Sequence, residues 1–175
     1  MKIWETLERD PRQQHLANGG QARILSRDDE HAEVQLRAEL ETFVCDGQYR
    51  DAMERILRSY LERLGQPRQN AAWVSGFYGS GKSHLLKMLG HLWENTPFSD
   101  GATPRSLVSG LSKEIQDHLR ELDGAAQRSG SRLIAACGAM PSGVSDRVRQ
   151  SVLETVFGSL GLPKLYQQAK LCLWL

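Results

Sequence analysis

One eight-residue stretch, residues 76–83, limits what this chain can fold into more than any other part of it. The stretch reads Gly-Phe-Tyr-Gly-Ser-Gly-Lys-Ser and matches G-x-x-x-x-G-K-[ST], the pattern of the Walker A phosphate loop. The apolar run at residues 71–75 comes before it and predicts a buried strand. Behind it, apolar residues recur on one helical face: Leu85, Leu89, Leu92 and Trp93. Because strand, glycine-rich loop and helix follow in the order that this motif needs, the sequence predicts an α/β fold around a P-loop NTPase core.

The residue types in this loop explain what it would bind. Glycine tolerates positive φ and a close approach to a ligand, so the loop amides can turn inward and form an anion-binding nest. A helix starting near Lys82 would aim its N-terminal amides at the same place, and the Lys82 ammonium would reach the β- and γ-phosphates. The Ser83 hydroxyl would ligate Mg²⁺. The sequence thus predicts ATP and Mg²⁺ as ligands, with contacts from nine consecutive residues: Gly76, Phe77, Tyr78, Gly79, Ser80, Gly81, Lys82, Ser83 and His84.

Composition mainly excludes some classes of protein. The 175 residues carry a formal net charge of +1, from 22 basic and 21 acidic side chains, so bulk charge gives no argument for nucleic-acid binding. No apolar run is long enough for a membrane span, and the first residues lack the core of a signal peptide. The three cysteines are widely spaced, fit no metal pattern and are typical of a reducing cytosol. A cytoplasmic protein is therefore expected.

Residues 1–65 predict a helical extension that ends in a hairpin before the nucleotide core. A first helix is expected after Ser26, with its apolar stripe at Leu36, Leu40, Phe43 and Val44. A second helix keeps one apolar face over four turns: Tyr49, Met53, Ile56, Leu57, Tyr60, Leu61 and Leu64. Gly65 and Pro67 then stop it.

Residues 66–175 predict the N-terminal part of the NTPase domain. Beyond the loop helix, Thr103-Pro104 is typical of a helix start, and one stripe follows: Leu107, Leu111, Ile115, Leu119 and Leu122. Residues 132–140 predict a second buried strand. Ser145 is a candidate cap for a further helix with a stripe at Val148, Val152, Val156 and Leu160, closed by Gly161. A last helical segment is expected to begin near Pro163.

A catalytic acid is missing from this pattern. A working P-loop NTPase needs an apolar strand that ends in an acidic residue, which holds Mg²⁺ and orients the attacking water. The second candidate strand ends in Gly138-Ala139-Met140 instead, and the acids at Glu121 and Asp123 fall in a helical pattern. The expectation is therefore an incomplete core, truncated before the Walker B strand, with the catalytic residue unknown and this chain inactive in hydrolysis by itself.

Several motifs together resemble one family. They are residues 10–12 (Asp-Pro-Arg), 18–24 (Asn-Gly-Gly-Gln-Ala-Arg-Ile), 40–49 (Leu-Glu-Thr-Phe-Val-Cys-Asp-Gly-Gln-Tyr), 73–85 (Trp-Val-Ser and the phosphate loop through Leu85) and 162–163 (Leu-Pro). In these motifs, which span most of the chain, the sequence resembles the N-terminal part of the large P-loop ATPases of BREX bacteriophage-defence systems, the BrxC or PglY type.

The resemblance implies more than the residues do. It implies an AAA+-like ATPase core in a cytoplasmic protein of well over a thousand residues. It also implies an oligomer that uses Mg-ATP to drive a defence complex alongside a methyltransferase and a phosphatase-like protein. By this resemblance, the family's Walker B and sensor elements are expected to be missing from a chain that stops at Leu175.

Two other functions stay open from the sequence. One is a DNA-remodelling AAA+ ATPase of the initiator or transposition-helper kind, which would share the helical entry and the loop and would add DNA as a partner. The other is a nucleotide-gated scaffold that binds ATP and never hydrolyses it. Salt-dependent DNA binding would favour the first, and turnover by the full-length protein would exclude the second.

Overall fold

A computed structural model of the chain describes residues 30–138 and 148–163. Over these two stretches the chain forms six helices and no strand. The helices are α1 (Glu30–Glu41), α2 (Gly47–Leu61), α3 (Lys82–Glu94), α4 (Pro104–Leu107), α5 (Lys113–Arg128) and α6 (Val148–Ser159). The predicted helices that start near Ser145 and Pro163 have those starts outside or at the edge of the described residues.

The predicted α/β core is wrong for the described part of the chain. Residues 71–77 and 131–138, which contain the two candidate strands, run without regular secondary structure and without a ladder partner among the described residues. A strand exists only when a neighbour takes up its backbone N–H and C=O groups. Trp73, expected to be buried, is 91 % exposed, and the first candidate strand instead touches the core through Val74. The end of the second, Ala139 and Met140, lies outside the described residues.

The two helices predicted for the hairpin are present as α1 and α2, with shifted ends. In α1, Leu36 and Leu40 are buried, but the helix ends at Glu41, so that Phe43 packs from the following loop and Val44 faces solvent. In α2 the Asp46 carboxylate accepts a hydrogen bond from the Gly47 amide at 2.7 Å, which starts the helix earlier than predicted.

The turn after α2 also differs in detail from the prediction. The helix ends at Leu61, and Leu64 is left 39 % exposed rather than on the buried face. Gly65, with φ of 77°, lies in the turn as expected.

The helix predicted over residues 104–122 is split in two. Thr103 caps α4 and Pro104 opens it, as predicted, but α4 is one turn long. Ser112 then caps α5 by accepting a hydrogen bond from the Ile115 amide. Because Gly110 disfavours a helix and Ser112 offers a new cap, the chain breaks at this point.

One apolar core joins α1, α2, α3 and α5. Its buried members are Leu36, Leu40, Phe43, Cys45, Met53, Leu57, Leu85, Met88, Leu92, Val108, Ile115, Leu119 and Leu122. Helices α2 and α5 pack against each other, and the Ser112 hydroxyl at the start of α5 donates to the Glu54 carboxylate of α2 at 2.8 Å. The core therefore fixes the hairpin against α3, the helix that follows the phosphate loop.

Helix α6 departs from its prediction. Its expected apolar stripe is exposed to between 37 and 48 %, and the helix has no buried residue. The stripe members are Val148, Val152, Val156 and, just beyond the helix, Leu160. Gly161, with φ of 70°, follows the helix end as predicted.

Candidate phosphate-binding site

The backbone of the loop has the conformation that its glycines predict at two positions. Gly79 and Gly81 have φ of 77° and 78°, values that residues with a side chain rarely adopt. The loop closes by a turn in which the Ser80 amide donates to the Phe77 carbonyl at 3.2 Å. Gly76 serves differently, because a Cβ there would lie 2.9 Å from the Ser80 hydroxyl. Three glycines thus let the chain fold back on itself directly before α3.

Helix α3 presents an open N-terminus to this loop. Its N-cap residue is Gly81, which has no side chain to accept from the first amides, and its first turn holds no acidic residue. Its hydrogen-bond ladder begins with the Leu85 amide donating to the Gly81 carbonyl at 2.9 Å, which leaves the amides of residues 82–84 ahead of the ladder. By contrast, α2, α4 and α5 each have a side-chain oxygen at the N-cap. The start of α3 is therefore suited to an anion.

The Lys82 side chain folds back into the loop. Its ammonium donates to the carbonyls of Gly76 at 2.9 Å and Phe77 at 2.7 Å, and to the Ser80 hydroxyl at 3.3 Å. These three oxygens carry no full charge, so a phosphate could replace them as partners of the ammonium. The Lys82 ammonium therefore lies inside the loop. The motif assigns phosphate contact to this same residue.

The remaining predicted contacts lie on the open side of the site. Phe77 and Tyr78 are 91 % and 100 % exposed, so their side chains leave the loop accessible. Ser83 is exposed too, on the first turn of α3. Within the described residues no cluster of three His, Cys, Asp or Glu side chains could hold a metal ion. Mg²⁺ at Ser83 would therefore take its other ligands from phosphate oxygens and water, which is a common arrangement for this ion.

His84 faces away from this open side. Its ring packs edge-on against Phe43 at 5.6 Å between centroids, and its Nδ1 lies 4.0 Å from the Glu39 carboxylate. Burial lowers the pKa of His84, Glu39 opposes that shift and Lys87 adds to it, so the surroundings favour the neutral imidazole. Among residues 76–84, Lys82 is therefore the cationic side chain that an anion in the loop could contact.

The hairpin supplies contacts to the site that the sequence analysis missed. The Tyr49 hydroxyl of α2 donates to the Ser80 carbonyl at 3.3 Å, and Lys87 of α3 is buried against Glu39 of α1 at 2.6 Å. In the sequence analysis Tyr49 belonged to an apolar stripe and to the 40–49 motif of the resemblance, with no contact to the loop assigned to it. The sequence signal that could have found this contact is the position of Tyr49 in the first turn of α2, close to the Asp46 cap, where a side chain lies near the surface.

A groove of about 570 Å³ opens beside the site, between α3 and residues 134–138. Its lining is mostly apolar and includes Leu86, Leu89, Trp93 and Ile134, with Ser83 at one end. The groove offers few polar partners for a phosphate group, so the loop is the candidate site.

No protein-family model matches the chain, and no solved structure matches it. No helix in the described ranges has the length and apolar character needed to cross a bilayer.

Proposed function

We propose that the loop and the first turn of α3 bind the phosphate groups of ATP together with Mg²⁺. The observation that carries the proposal is the conjunction of an uncapped helix N-terminus with two positive-φ glycines and the Lys82 ammonium inside the loop. Loop amides and the helix terminus favour an anion of high charge density. Polyphosphate satisfies these groups better than a single carboxylate does.

Each residue has a defined task in this proposal. The amides of Gly79, Gly81 and the first turn of α3 hold phosphate oxygens, and Lys82 exchanges its carbonyl partners for the β- and γ-phosphates. The Ser83 hydroxyl takes one position on Mg²⁺. When bound, the metal neutralises phosphate charge and favours transfer of the terminal phosphoryl group.

The biological setting is proposed from the resemblance. The motifs shared with the BREX ATPases support an ATP-binding segment that acts in the cytoplasm, in an oligomeric phage-defence complex with a methyltransferase and a phosphatase-like protein. A role for ATP hydrolysis in driving that complex belongs to the same proposal.

Two lysines in matching helix positions make the decisive test. Lys82 and Lys113 are each the first residue of a helix, of α3 and α5 respectively, but only Lys82 lies in the loop. We expect Lys82→Ala to weaken Mg-ATP binding, measured by isothermal titration calorimetry, by roughly 10- to 100-fold, the loss of a charge-assisted contact. Lys113→Ala should bind as the parent chain does.

Both variants should keep their melting temperature within a few degrees, because each lysine lies near the surface. Unchanged ATP affinity in a folded Lys82→Ala variant would remove the phosphate-binding assignment.

A further inference from the structure

One contact between the hairpin and the loop has no place in the phosphate-loop motif. The Tyr49 hydroxyl, at the start of α2, donates to the Ser80 carbonyl at 3.3 Å, 31 positions further along the chain. A Cβ added at Gly81 would lie 1.7 Å from the same hydroxyl oxygen. The tyrosine thus lies directly against the Ser80–Gly81 peptide, the peptide that leads into α3.

The geometry of that peptide links Tyr49 to the anion site. No cis peptide bond occurs in the described residues, so the Ser80 C=O and the Gly81 N–H point in opposite directions across one plane. When the hydroxyl holds the carbonyl on its own side, the Gly81 N–H is turned away from α2. Gly81, at φ of 78°, could otherwise rotate this peptide freely, because glycine has no side chain to oppose it.

The tyrosine ring is itself fixed. It packs edge-on against Phe43 at 6.0 Å, and Phe43 packs edge-on against His84 at 5.6 Å between ring centroids. Phe43 is buried in the core that joins the hairpin to α3. The three rings form a row from α2 to the first turn of α3, which sets the hydroxyl at a defined distance from the loop.

We infer that Tyr49 is a positioning residue for the phosphate loop, whose hydroxyl turns the Gly81 amide toward the bound phosphate. This inference rests on the proposed function, since it assigns to Tyr49 a part in the same ATP site. By this inference, the helical hairpin contributes a residue that shapes the nucleotide site. A loop and α3 without the hairpin should then bind phosphate less well.

Removal of one oxygen atom tests the inference. Tyr49→Phe keeps the ring and its contact with Phe43 but loses the donor. Tyr60→Phe is the matched control, because Tyr60 lies on the same helix and packs against Trp93 at 4.8 Å, away from the loop. We expect Tyr49→Phe to lower Mg-ATP affinity by about 3- to 10-fold, the effect of one neutral hydrogen bond, and Tyr60→Phe to leave it unchanged.

A spectroscopic readout separates positioning from a loss of stability. In the parent chain labelled with ¹⁵N, Mg-ATP should shift the Gly81 amide proton downfield as it donates to phosphate. In Tyr49→Phe that shift should shrink, with an unchanged melting temperature.

The possible failures are distinguishable. A parent chain that binds no ATP would overturn the proposed function, and the inference with it. A parent chain that binds ATP, alongside a Tyr49→Phe variant with equal affinity and an equal Gly81 shift, would overturn the inference alone. Tighter binding by Tyr49→Phe would also overturn it, because Tyr49 would then be holding the loop closed against the nucleotide.

Discussion

At the scale of single residues, Gly79 and Gly81 have almost equal φ angles but different surroundings. Both have φ close to 78°, so a side chain at either position is strained. Their surroundings differ, because a Cβ at Gly79 would meet nothing within 4 Å, whereas a Cβ at Gly81 would meet the Tyr49 hydroxyl. Substitutions at Gly79 and Gly81 can therefore separate the free-energy cost of a left-handed backbone from that of a steric clash with Tyr49.

We predict that Gly81→Ala is more damaging than Gly79→Ala. Gly79→Ala should lower the free energy of unfolding by about 1–2 kcal/mol, the cost of a left-handed alanine. Gly81→Ala should cost about 1–3 kcal/mol more, because Tyr49 must also move. Chemical denaturation measures both, and in a Tyr49→Ala background the difference should shrink. Equal losses in the parent background would mean that Tyr49 does not press on the loop.

At the scale of elements, the hairpin contacts α3 and the loop before it in three ways. Glu39 of α1 pairs with the buried Lys87 of α3, Tyr49 of α2 reaches the loop, and Tyr60 of α2 packs on Trp93 of α3. Of these contacts, the Glu39–Lys87 ion pair should cost the most stability when broken, because the Lys87 side chain is only 2 % exposed. A buried ammonium without its carboxylate loses solvation that nothing replaces.

We predict that Glu39→Gln loosens α1 from α3. It should lower the free energy of unfolding by about 1–3 kcal/mol, less than for a fully buried pair because Glu39 is partly exposed. The control is Glu41→Gln on the same helix, whose pair with Arg37 lies at the surface and should matter by less than about 0.5 kcal/mol. Adding Lys87→Met to Glu39→Gln should recover stability, and a further loss in that double variant would contradict this account of the pair.

At the scale of the whole molecule, the described residues form a helical core, and the glycine-rich loop leads directly into α3 of that core. Helix periodicity predicted α2, α3 and α5 well, since Leu57, Leu85 and Leu119 are buried as expected. The two candidate strands are wrong because a strand depends on a partner elsewhere in the chain, and an apolar run of five residues does not reveal whether that partner exists.

The backbone of the glycine-rich loop follows its sequence more closely than the fold does, since Gly79 and Gly81 have the positive φ that their residue type allows. Such a loop is a local structure made by consecutive residues, so its sequence is enough to predict where its backbone takes a positive φ. Tyr49 and the Glu39–Lys87 pair are contacts between distant parts of the chain, the latter 48 positions apart. The sequence analysis assigned no role to Lys87, and only the structure shows that it is buried beside Glu39 of α1.

Calorimetric titration of the parent chain with ATP, ADP, AMP and adenosine, each with Mg²⁺, tests the central claim most directly. If the loop holds phosphates, the affinity should fall as phosphates are removed, by roughly 10-fold or more from ADP to AMP, and adenosine should not bind. Equal affinity for all four ligands, or no binding of ATP at all, would contradict the assignment of the loop and Lys82 as a phosphate site.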